Sequence, residues 1–136
     1  MKYLGMDLGT KTLGLAMSDR QGIIASPYKL IEFNDINILV DEVINIIDNE
    51  KIDELVLGLP KNMNNSLGHA ANRSLEFKEL LEKRITIPLH LVDERLSSVE
   101  AENLLISEGH SRKKRKKMID SVSASIILDT YLRKVG

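Results

Sequence analysis

The chain has 136 residues, no cysteine, and a net charge of −1 from 19 basic and 20 acidic residues. This length fits a single domain over residues 1–136, and the lack of cysteine excludes disulfides and thiolate metal sites, so metal ligands must be carboxylates or histidines. No apolar run reaches the roughly 18 residues of a membrane span, and a strand pattern follows Met1-Lys2 directly, so we expect a cytoplasmic protein without a membrane segment.

Three short runs at the start of the chain predict three strands. Residues 2–8 and 13–18 are rich in Leu and Gly and are joined by a short turn, which predicts a hairpin. A third run, from about Ile23 to Phe33, contains Pro27. Because proline lacks a backbone N–H, it is confined to a sheet edge or a bulge. We therefore expect the third strand at the edge of the sheet.

Helix and strand patterns alternate along the rest of the chain. Residues 36–50 carry apolar side chains at spacings of three and four, which predicts an amphipathic helix. The runs "ELVLGLP" and "IPLHLVD" predict two short strands, with a helix over residues 67–84 between them. This order is typical of parallel strands joined by helical crossovers.

Two further helices are expected near the end of the chain. Ser97 and Glu100 form a capping-box pattern that begins a helix ending at Gly109. The last helix is expected from about Lys116 to about Lys134. The predicted order is βββαβαβαα, which resembles the ribonuclease H-like fold: an α/β fold with a mixed five-stranded sheet of order 3-2-1-4-5 and helices on both faces.

Three acids from separate segments are candidates for one site. Asp7 interrupts an apolar strand, where an unpaired carboxylate would be costly to bury. Asp93 and Glu94 stand at the end of a parallel strand, which delivers side chains to the crevice outside the sheet. Asp120 falls on the apolar face of the last helix. Carboxylates converging from three elements are the hard oxygen ligands that one or two Mg²⁺ ions require.

Each acid also has a simpler explanation when it is taken singly. Backbone amides of the hairpin could satisfy Asp7, and the helix dipole favours an acid such as Asp120 near a helix N-terminus. Glu94 could pair with Arg95. The histidines at positions 69, 90 and 110 share no spacing that indicates a metal site. The joint occurrence of the three acids is what favours a metal site.

Six consecutive basic residues stand three positions before Asp120: Arg112, Lys113, Lys114, Arg115, Lys116 and Lys117. Removing their six positive charges from a net charge of −1 leaves −7 on the rest of the chain. We expect this run to form a loop rather than packed structure. A solvated surface loop is one interpretation, and a contact with the backbone of a nucleic acid beside the carboxylates is the other.

Four sequence blocks together resemble the YqgF family, also called RuvX. They are "GMDLGTKTLGLAMSD", "GLPKNMNNSLGHAANRSLEF", "VDERLSSVEAE" and "IDSVSASIILDTYL", and they cover essentially the whole chain in the family's order. Two departures concern the first and second blocks: Thr12 stands where the family commonly has Arg, and Asn64-Asn65 where it often has Asp-Gly. Neither departure touches the three acids.

The resemblance implies a metal-dependent nuclease with Mg²⁺ or Mn²⁺ held by Asp7, Glu94 and Asp120. It associates the family with 5′-end processing of pre-16S ribosomal RNA, with cleavage of branched DNA such as Holliday junctions as the alternative. The expected substrate contacts are the basic run together with Lys11, Lys61 and Arg95. We favour a monomer, because processing one RNA end needs a single site, whereas a homodimer would suit a two-fold junction.

Two other classes of function remain open from the sequence alone. The Asp-x-Gly-Thr-Lys piece at residues 7–11 also resembles the phosphate loop of actin-like and sugar-kinase ATPases. Those proteins need two such domains, and this chain has the length of one. A non-catalytic nucleic-acid-binding module that retains the acids is the third possibility. Nucleotide binding and metal-dependent cleavage distinguish the three.

Overall fold

The computed structural model describes residues 1–59, 69–93 and 112–135, with the side chains of 69, 70, 93 and 112–121 outside the description. Eight elements lie in these ranges, and the helix predicted between Ser97 and Gly109 falls outside them. In chain order they are β1 (Tyr3–Leu8), β2 (Thr12–Ser18), β3 (Ala25–Glu32), α1 (Ile36–Glu50), β4 (Glu54–Leu59), α2 (His69–Glu82), β5 (Leu89–Asp93) and α3 (Arg112–Val135). None of the described helices is long and apolar enough to cross a membrane.

The five strands form one mixed sheet in the order β3-β2-β1-β4-β5. β1 pairs with β2 in antiparallel and with β4 in parallel orientation, and β5 continues the parallel part of the sheet. This order confirms the predicted ribonuclease H-like topology. β1 is therefore the central strand, and its carboxyl end shares one edge of the sheet with the carboxyl ends of β4 and β5.

Pro27 lies on the edge strand β3, as predicted. The register between β2 and β3 shifts between Leu15 and Ala16, which pair with Lys29 and Pro27 respectively. The edge position and the irregularity thus occur together. Both allow the missing N–H of Pro27 to be tolerated without losing a bond inside the sheet.

The two faces of the sheet are covered by different helices. Leu4, Met6 and Leu8 of β1 point to one face and pack with residues of α1 and α2 in the larger core. Tyr3 points to the other face and belongs to a second core cluster with residues of α3. Because side chains alternate along a strand, Gly5 and Asp7 share the α3 face with Tyr3.

Helix α1 shows how closely its sequence determines its ends. The carboxylate of Asp35 accepts a hydrogen bond from the Asn37 amide at 2.8 Å and caps the first turn. Lys51 ends the helix in the left-handed conformation, with φ of 54°. Between them, Leu39, Val40, Val43 and Ile47 are buried against the sheet. These residues follow the spacing from which the helix was predicted.

The basic run corrects one prediction. Helix α3 begins at Arg112, so residues 112–117 are helical and the expected loop is wrong. The physical reason is that Lys and Arg have high helix propensity and that residues 112–135 contain neither Gly nor Pro. Repulsion between like charges one turn apart costs only about 0.2–0.5 kcal/mol per pair, which is too little to unwind the helix.

Candidate active site

Asp7 lies in the central strand β1 and is one of four buried polar or charged residues in the described part of the chain. Its side chain is 8% exposed. It sits on the α3 face of the sheet, next to the β1–β2 hairpin. A carboxylate at this depth must have its charge compensated, and a buried acid at the end of a central strand is a candidate functional residue.

The position of α3 relative to Asp7 follows from two contacts further down β1. A Cβ atom built on Gly5 would lie 2.7 Å from the Leu128 Cβ and 3.0 Å from the Ala124 carbonyl oxygen. The ring centroids of Tyr3 and Tyr131 are 5.8 Å apart. Residue numbers therefore rise along α3 as they fall along β1, and the two elements run antiparallel.

This antiparallel arrangement brings Asp120 to the level of Asp7. From Gly5 to Asp7 the strand rises about 6.6 Å, and from Ala124 back to Asp120 the helix rises about 6 Å. The backbone of Asp120 is helical, while its side chain lies outside the description. The fold thus places two of the three predicted acids at corresponding positions of β1 and α3.

The third acid, Glu94, directly follows the last residue of β5 and lies outside the described residues. The register of the sheet is described up to the preceding residue. Met6 pairs with Leu57, and Leu57 pairs with Leu91. Asp93, the last residue of β5, is thus two residues beyond this row and Asp7 is one residue beyond it. The end of β5 therefore lies about one residue from the level of Asp7 along the strands.

Lys11 is the predicted substrate contact whose side chain the structure describes. It is exposed in the tight hairpin that follows β1, where the Gly9 amide donates to the Thr12 carbonyl at 2.7 Å. The Phe33 amide donates to the Lys11 carbonyl at 2.9 Å and fixes the hairpin against the end of β3. Lys11 therefore stands at the same edge as Asp7. Lys61 and Arg95 lie outside the described residues.

The basic run occupies the first turns of α3. Because α3 is antiparallel to β1, its N-terminus lies at the edge where β1 ends, which is also the edge of Asp7 and Lys11. The first turns of a helix carry unpaired N–H groups and a partial positive charge that favour anions. The backbone of the basic run and Asp7 thus lie toward one edge of the sheet, with the run on a helix, and its contact with a substrate stays a prediction.

The donor set suits a hard divalent cation. Among the described side chains, no group of three or more His, Asp or Glu forms a ready metal cluster. Two of the three predicted ligands, Glu94 and Asp120, lack described side chains, so Asp7 is the member whose environment is known. A buried carboxylate with no sulfur or histidine ligand predicted beside it matches the oxygen preference of Mg²⁺ and Mn²⁺.

Sequence patterns did not single out Arg73, a further cation of α2. Its Nε atom is buried and has no hydrogen-bond partner among the described residues. In the sequence it is one charge among several on a helix of mixed polarity, so no spacing or motif distinguishes it. Only the burial of the Nε atom in the folded chain does so.

A second polar cluster lies near the opposite edge, where β4 begins. His90 Nε2 is 3.1 Å from Glu54 Oε1, and the His90 ring stacks on Tyr131 with centroids 4.8 Å apart. Burial raises the pKa of Tyr131, and burial together with the Glu54 carboxylate raises the pKa of Tyr3. Both phenols thus remain protonated at neutral pH. This cluster packs α3 onto the sheet rather than extending the acidic site.

Comparison with known proteins decides the family. A model of the family described as "RuvX: Holliday junction resolvase" matches residues 1–134. The chain belongs to the RuvX family. A relative from Maridesulfovibrio salexigens, named "Putative pre-16S rRNA nuclease", is 43% identical over 134 residues, covering 98% of this chain and 99% of the relative. A relative of the same name from Lactiplantibacillus plantarum is 43% identical over 139 residues, covering 100% and 96%.

Solved structures similar to this RuvX chain share its fold at low sequence identity. Thermus thermophilus RuvC in complex with a Holliday junction substrate matches with a TM-score of 0.63 and 12% identity, over 100% of this chain and 96% of that chain. The Fowlpox virus resolvase in complex with Holliday junction DNA matches with a TM-score of 0.59 and 13% identity, over 99% of each chain. The predicted family and fold are confirmed, and the names of family and relatives support the predicted nuclease class.

Proposed function

We propose that this RuvX chain is a divalent-metal-dependent nuclease that hydrolyses phosphodiester bonds at the 5′ end of pre-16S rRNA. The observation that carries the proposal is the buried carboxylate of Asp7 in the central strand, at the edge where β4, β5 and the N-terminus of α3 also meet. The names of relatives at 43% identity support pre-16S rRNA as the substrate.

The roles of the acids follow from their positions. Asp7, Glu94 and Asp120 would hold Mg²⁺ or Mn²⁺ by carboxylate oxygens from β1, from the residue after β5 and from α3. The metal, when bound, supplies Lewis-acid stabilisation of the phosphoryl oxygens and lowers the pKa of an attacking water. No nucleophilic side chain is required. Asp7 lies on strand β1 and Asp120 on helix α3, so two of the proposed ligands belong to regular elements.

The roles of the cations follow from the charge of the substrate. A phosphodiester backbone approaching three carboxylates is repelled, and neighbouring Lys and Arg residues offset that repulsion. Lys11, exposed in the hairpin that follows Asp7, would neutralise charge on the leaving oxygen. Lys61, Arg95 and the basic turns of α3 would hold the phosphates on either side. These contacts position a strand without reading its sequence.

Branched DNA is the second candidate substrate, and the description of the family favours it. The two substrates make different demands on assembly. A monomer suffices for one RNA end, and we favour it, whereas a four-way junction presents two equivalent scissile positions and suits a homodimer. Molecular mass in solution, measured with and without each substrate, therefore separates the two candidates together with the cleavage assay.

The direct test compares Asp7→Asn with the wild type on a labelled pre-16S RNA fragment and on a four-way DNA junction, with Mg²⁺, Mn²⁺ or a chelator. Asp48→Asn, the same chemical change at an exposed carboxylate of α1, is the matched control. We expect cleavage of the RNA by the wild type and by Asp48→Asn with metal, and no cleavage by Asp7→Asn. Equal cleavage by Asp7→Asn and the wild type would refute the assignment of Asp7.

A nucleotide-binding measurement addresses the ATPase-like interpretation of the first block. We expect no saturable binding of ATP to the wild type with Mg²⁺, because one domain of this fold lacks the second half that would enclose a nucleotide. Tight ATP binding without cleavage of either nucleic acid would instead favour the ATPase-like function. Nucleic-acid binding with neither activity would indicate a non-catalytic module.

A further inference from the structure

We propose that Arg73 of α2 is a substrate-positioning residue that binds a phosphate group of the nucleic-acid backbone beside the catalytic edge. The inference rests on the proposed nuclease function, since it assigns a further contact to the same substrate. Arg73 belongs neither to the acidic triad nor to the cations that the sequence patterns indicated. Three observations support it: its level in the fold, the burial of its Nε atom and the absence of a hydrogen-bond partner for that atom among the described residues.

The level of Arg73 follows from the crossover between β4 and β5. Helix α2 packs on β4, and its 14 residues span about 21 Å, close to the length of a six-residue strand. Its C-terminus lies where β4 and β5 begin, because the Leu55 amide donates to the Pro88 carbonyl just beyond the helix. Its N-terminus therefore lies at the edge where those strands end, and Arg73 is in its second turn.

The side chain of Arg73 is half-buried, and its stem runs along the core. Arg73 shares one strip of the helix with Phe77 and Leu80, at four and seven residues. Phe77 is fully buried and Leu80 packs against the larger core. Long helical side chains lean toward the N-terminus of their helix, so the guanidinium group of Arg73 is carried toward the catalytic edge.

The Nε atom of Arg73 is not satisfied within the described part of the chain. It is inaccessible to water and has no hydrogen-bond partner there. Two other cations, Lys78 of this helix and Arg84 just beyond it, are paired: Lys78 Nζ lies 2.7 Å from Glu82 Oε1, and Arg84 binds Asp41 of α1. A buried N–H donor without an acceptor lowers stability. An anionic ligand would supply that acceptor on binding.

A phosphate diester is the anion whose chemistry fits best. The planar guanidinium group presents N–H donors in a fork that matches two phosphate oxygens. Arg73 lies on the α2 face of the sheet, whereas Asp7 and the basic turns of α3 lie on the α3 face. A backbone crossing the edge would meet both faces, so Arg73 would hold a phosphate away from the scissile one.

The test uses Arg73→Met, which keeps the length of the stem and removes the charge, and Arg73→Lys, which keeps the charge and removes the fork. Arg84→Met is the matched control, because it removes the same group just beyond the opposite end of α2. Each change is made in the wild type and in Asp7→Asn. The affinity of the Asp7→Asn proteins for a labelled single-stranded RNA is measured at several salt concentrations, and thermal midpoints are measured without RNA.

We expect Arg73→Met to weaken RNA binding by about tenfold. The slope of log affinity against log salt concentration should become shallower by about 0.7, as for one lost phosphate contact. Arg73→Lys should keep the salt dependence while binding more weakly. The thermal midpoint of Arg73→Met without RNA should stay unchanged or rise, because a buried N–H donor without an acceptor is removed. Arg84→Met should leave affinity and salt dependence unchanged.

Unchanged affinity and salt dependence in Arg73→Met, with a lower thermal midpoint, would overturn the inference and make Arg73 a structural residue. Equal loss of affinity in Arg84→Met would also overturn it, because the effect would then be one of general charge. A failure of the nuclease proposal can be distinguished from a failure of this inference. If the wild type cleaves nothing but Arg73→Met still loses RNA binding with its salt signature, the phosphate contact stands and the catalytic function does not.

Discussion

Gly5 of the central strand and Leu128 of α3 lie directly against each other. A Cβ atom on Gly5 would lie 2.7 Å from the Leu128 Cβ, a separation that two such carbons do not adopt. Helix α3 therefore packs directly against the backbone of β1 at Gly5, two residues before Asp7. The same helix carries Asp120 one turn before Ala124, so the distance between the two acids depends on this glycine.

Gly5→Ala is predicted to push α3 away from β1. We expect the free energy of unfolding to fall by about 1–3 kcal/mol, as for other overpacked cores. Cleavage should fall by more than this loss of stability explains, because the change displaces a helix that carries a predicted metal ligand. Chemical denaturation and metal-dependent cleavage below the unfolding transition measure the two effects separately.

The control for this prediction is the double variant Gly5→Ala with Leu128→Ala. Shortening Leu128 removes atoms from the contact, so the two changes should be non-additive and the pair less destabilised than the sum of the single variants. Additive losses would mean that Gly5 does not set the position of α3. Full activity in Gly5→Ala would show that the separation of β1 and α3 is not critical to catalysis.

Two buried serines are predicted to respond to alanine in opposite directions. Ser18 Oγ accepts from the Tyr3 amide and donates to the Asp19 carbonyl, both at 2.8 Å, so Ser18→Ala should lower the free energy of unfolding by about 1–3 kcal/mol. Ser74 Oγ is buried in α2 without a partner, so Ser74→Ala should raise it by up to about 1 kcal/mol. Denaturant midpoints measure both, and a loss in Ser74→Ala would contradict the prediction.

Hydrophobic spacing predicted the order of elements along the chain, and Pro27 predicted the edge position of the third strand. The order of strands within the sheet came from the resemblance to the ribonuclease H-like fold. The sequence also indicated Asp7, since a carboxylate in an apolar strand is anomalous without any tertiary information. The helical state of residues 112–117 was missed because a run of like charges was expected to form a solvated loop. The high helix propensity of Lys and Arg instead keeps the segment helical. Arg73 was missed for a different reason: burial of one helix cation and pairing of another depend on long-range packing that no local spacing encodes.

The turn between β2 and β3 is predicted to weaken in acid through Asp19. The Ile23 and Ile24 amides donate to Asp19 Oδ1 at 2.7 and 3.1 Å, and these bonds hold the pKa of the carboxyl group below its ordinary value of 3.8. A pKa lower in the folded than in the unfolded state stabilises the fold above the unfolded value. That contribution is lost as pH falls through the folded pKa.

Thermal midpoints of the wild type and Asp19→Asn between neutral pH and acid check this prediction. The stability advantage of the wild type over Asp19→Asn should be constant above about pH 5 and should shrink as the carboxyl group protonates. Because Asp19 is on the surface, we expect a small effect. Parallel curves over the whole range would show that the amide bonds do not depend on the ionised carboxylate.

The basic turns of α3 are predicted to supply a large, sequence-independent part of nucleic-acid affinity. Replacing Lys113, Lys114, Lys116 and Lys117 with Gln removes four charges from a helical segment with little change in helix propensity. Binding should weaken to a similar extent for RNAs of different sequence, and the salt dependence should flatten by up to about 0.7 log units per lost contact. Metal binding should persist, because phosphate contacts position the strand while the acids act on the scissile group.

The matched control replaces four exposed lysines elsewhere with Gln, namely Lys29, Lys51, Lys83 and Lys134. Both variants have the same net charge, so a difference between them reports the position of the charge rather than its amount. We expect the control to keep most of its affinity, because screening reduces the effect of exposed charges more than about 10 Å from the substrate. Equal losses in the two variants would indicate general electrostatic attraction. Unchanged affinity in the α3 variant would assign the basic turns to the solvated surface and leave Lys11, Lys61 and Arg95 as the path of the substrate.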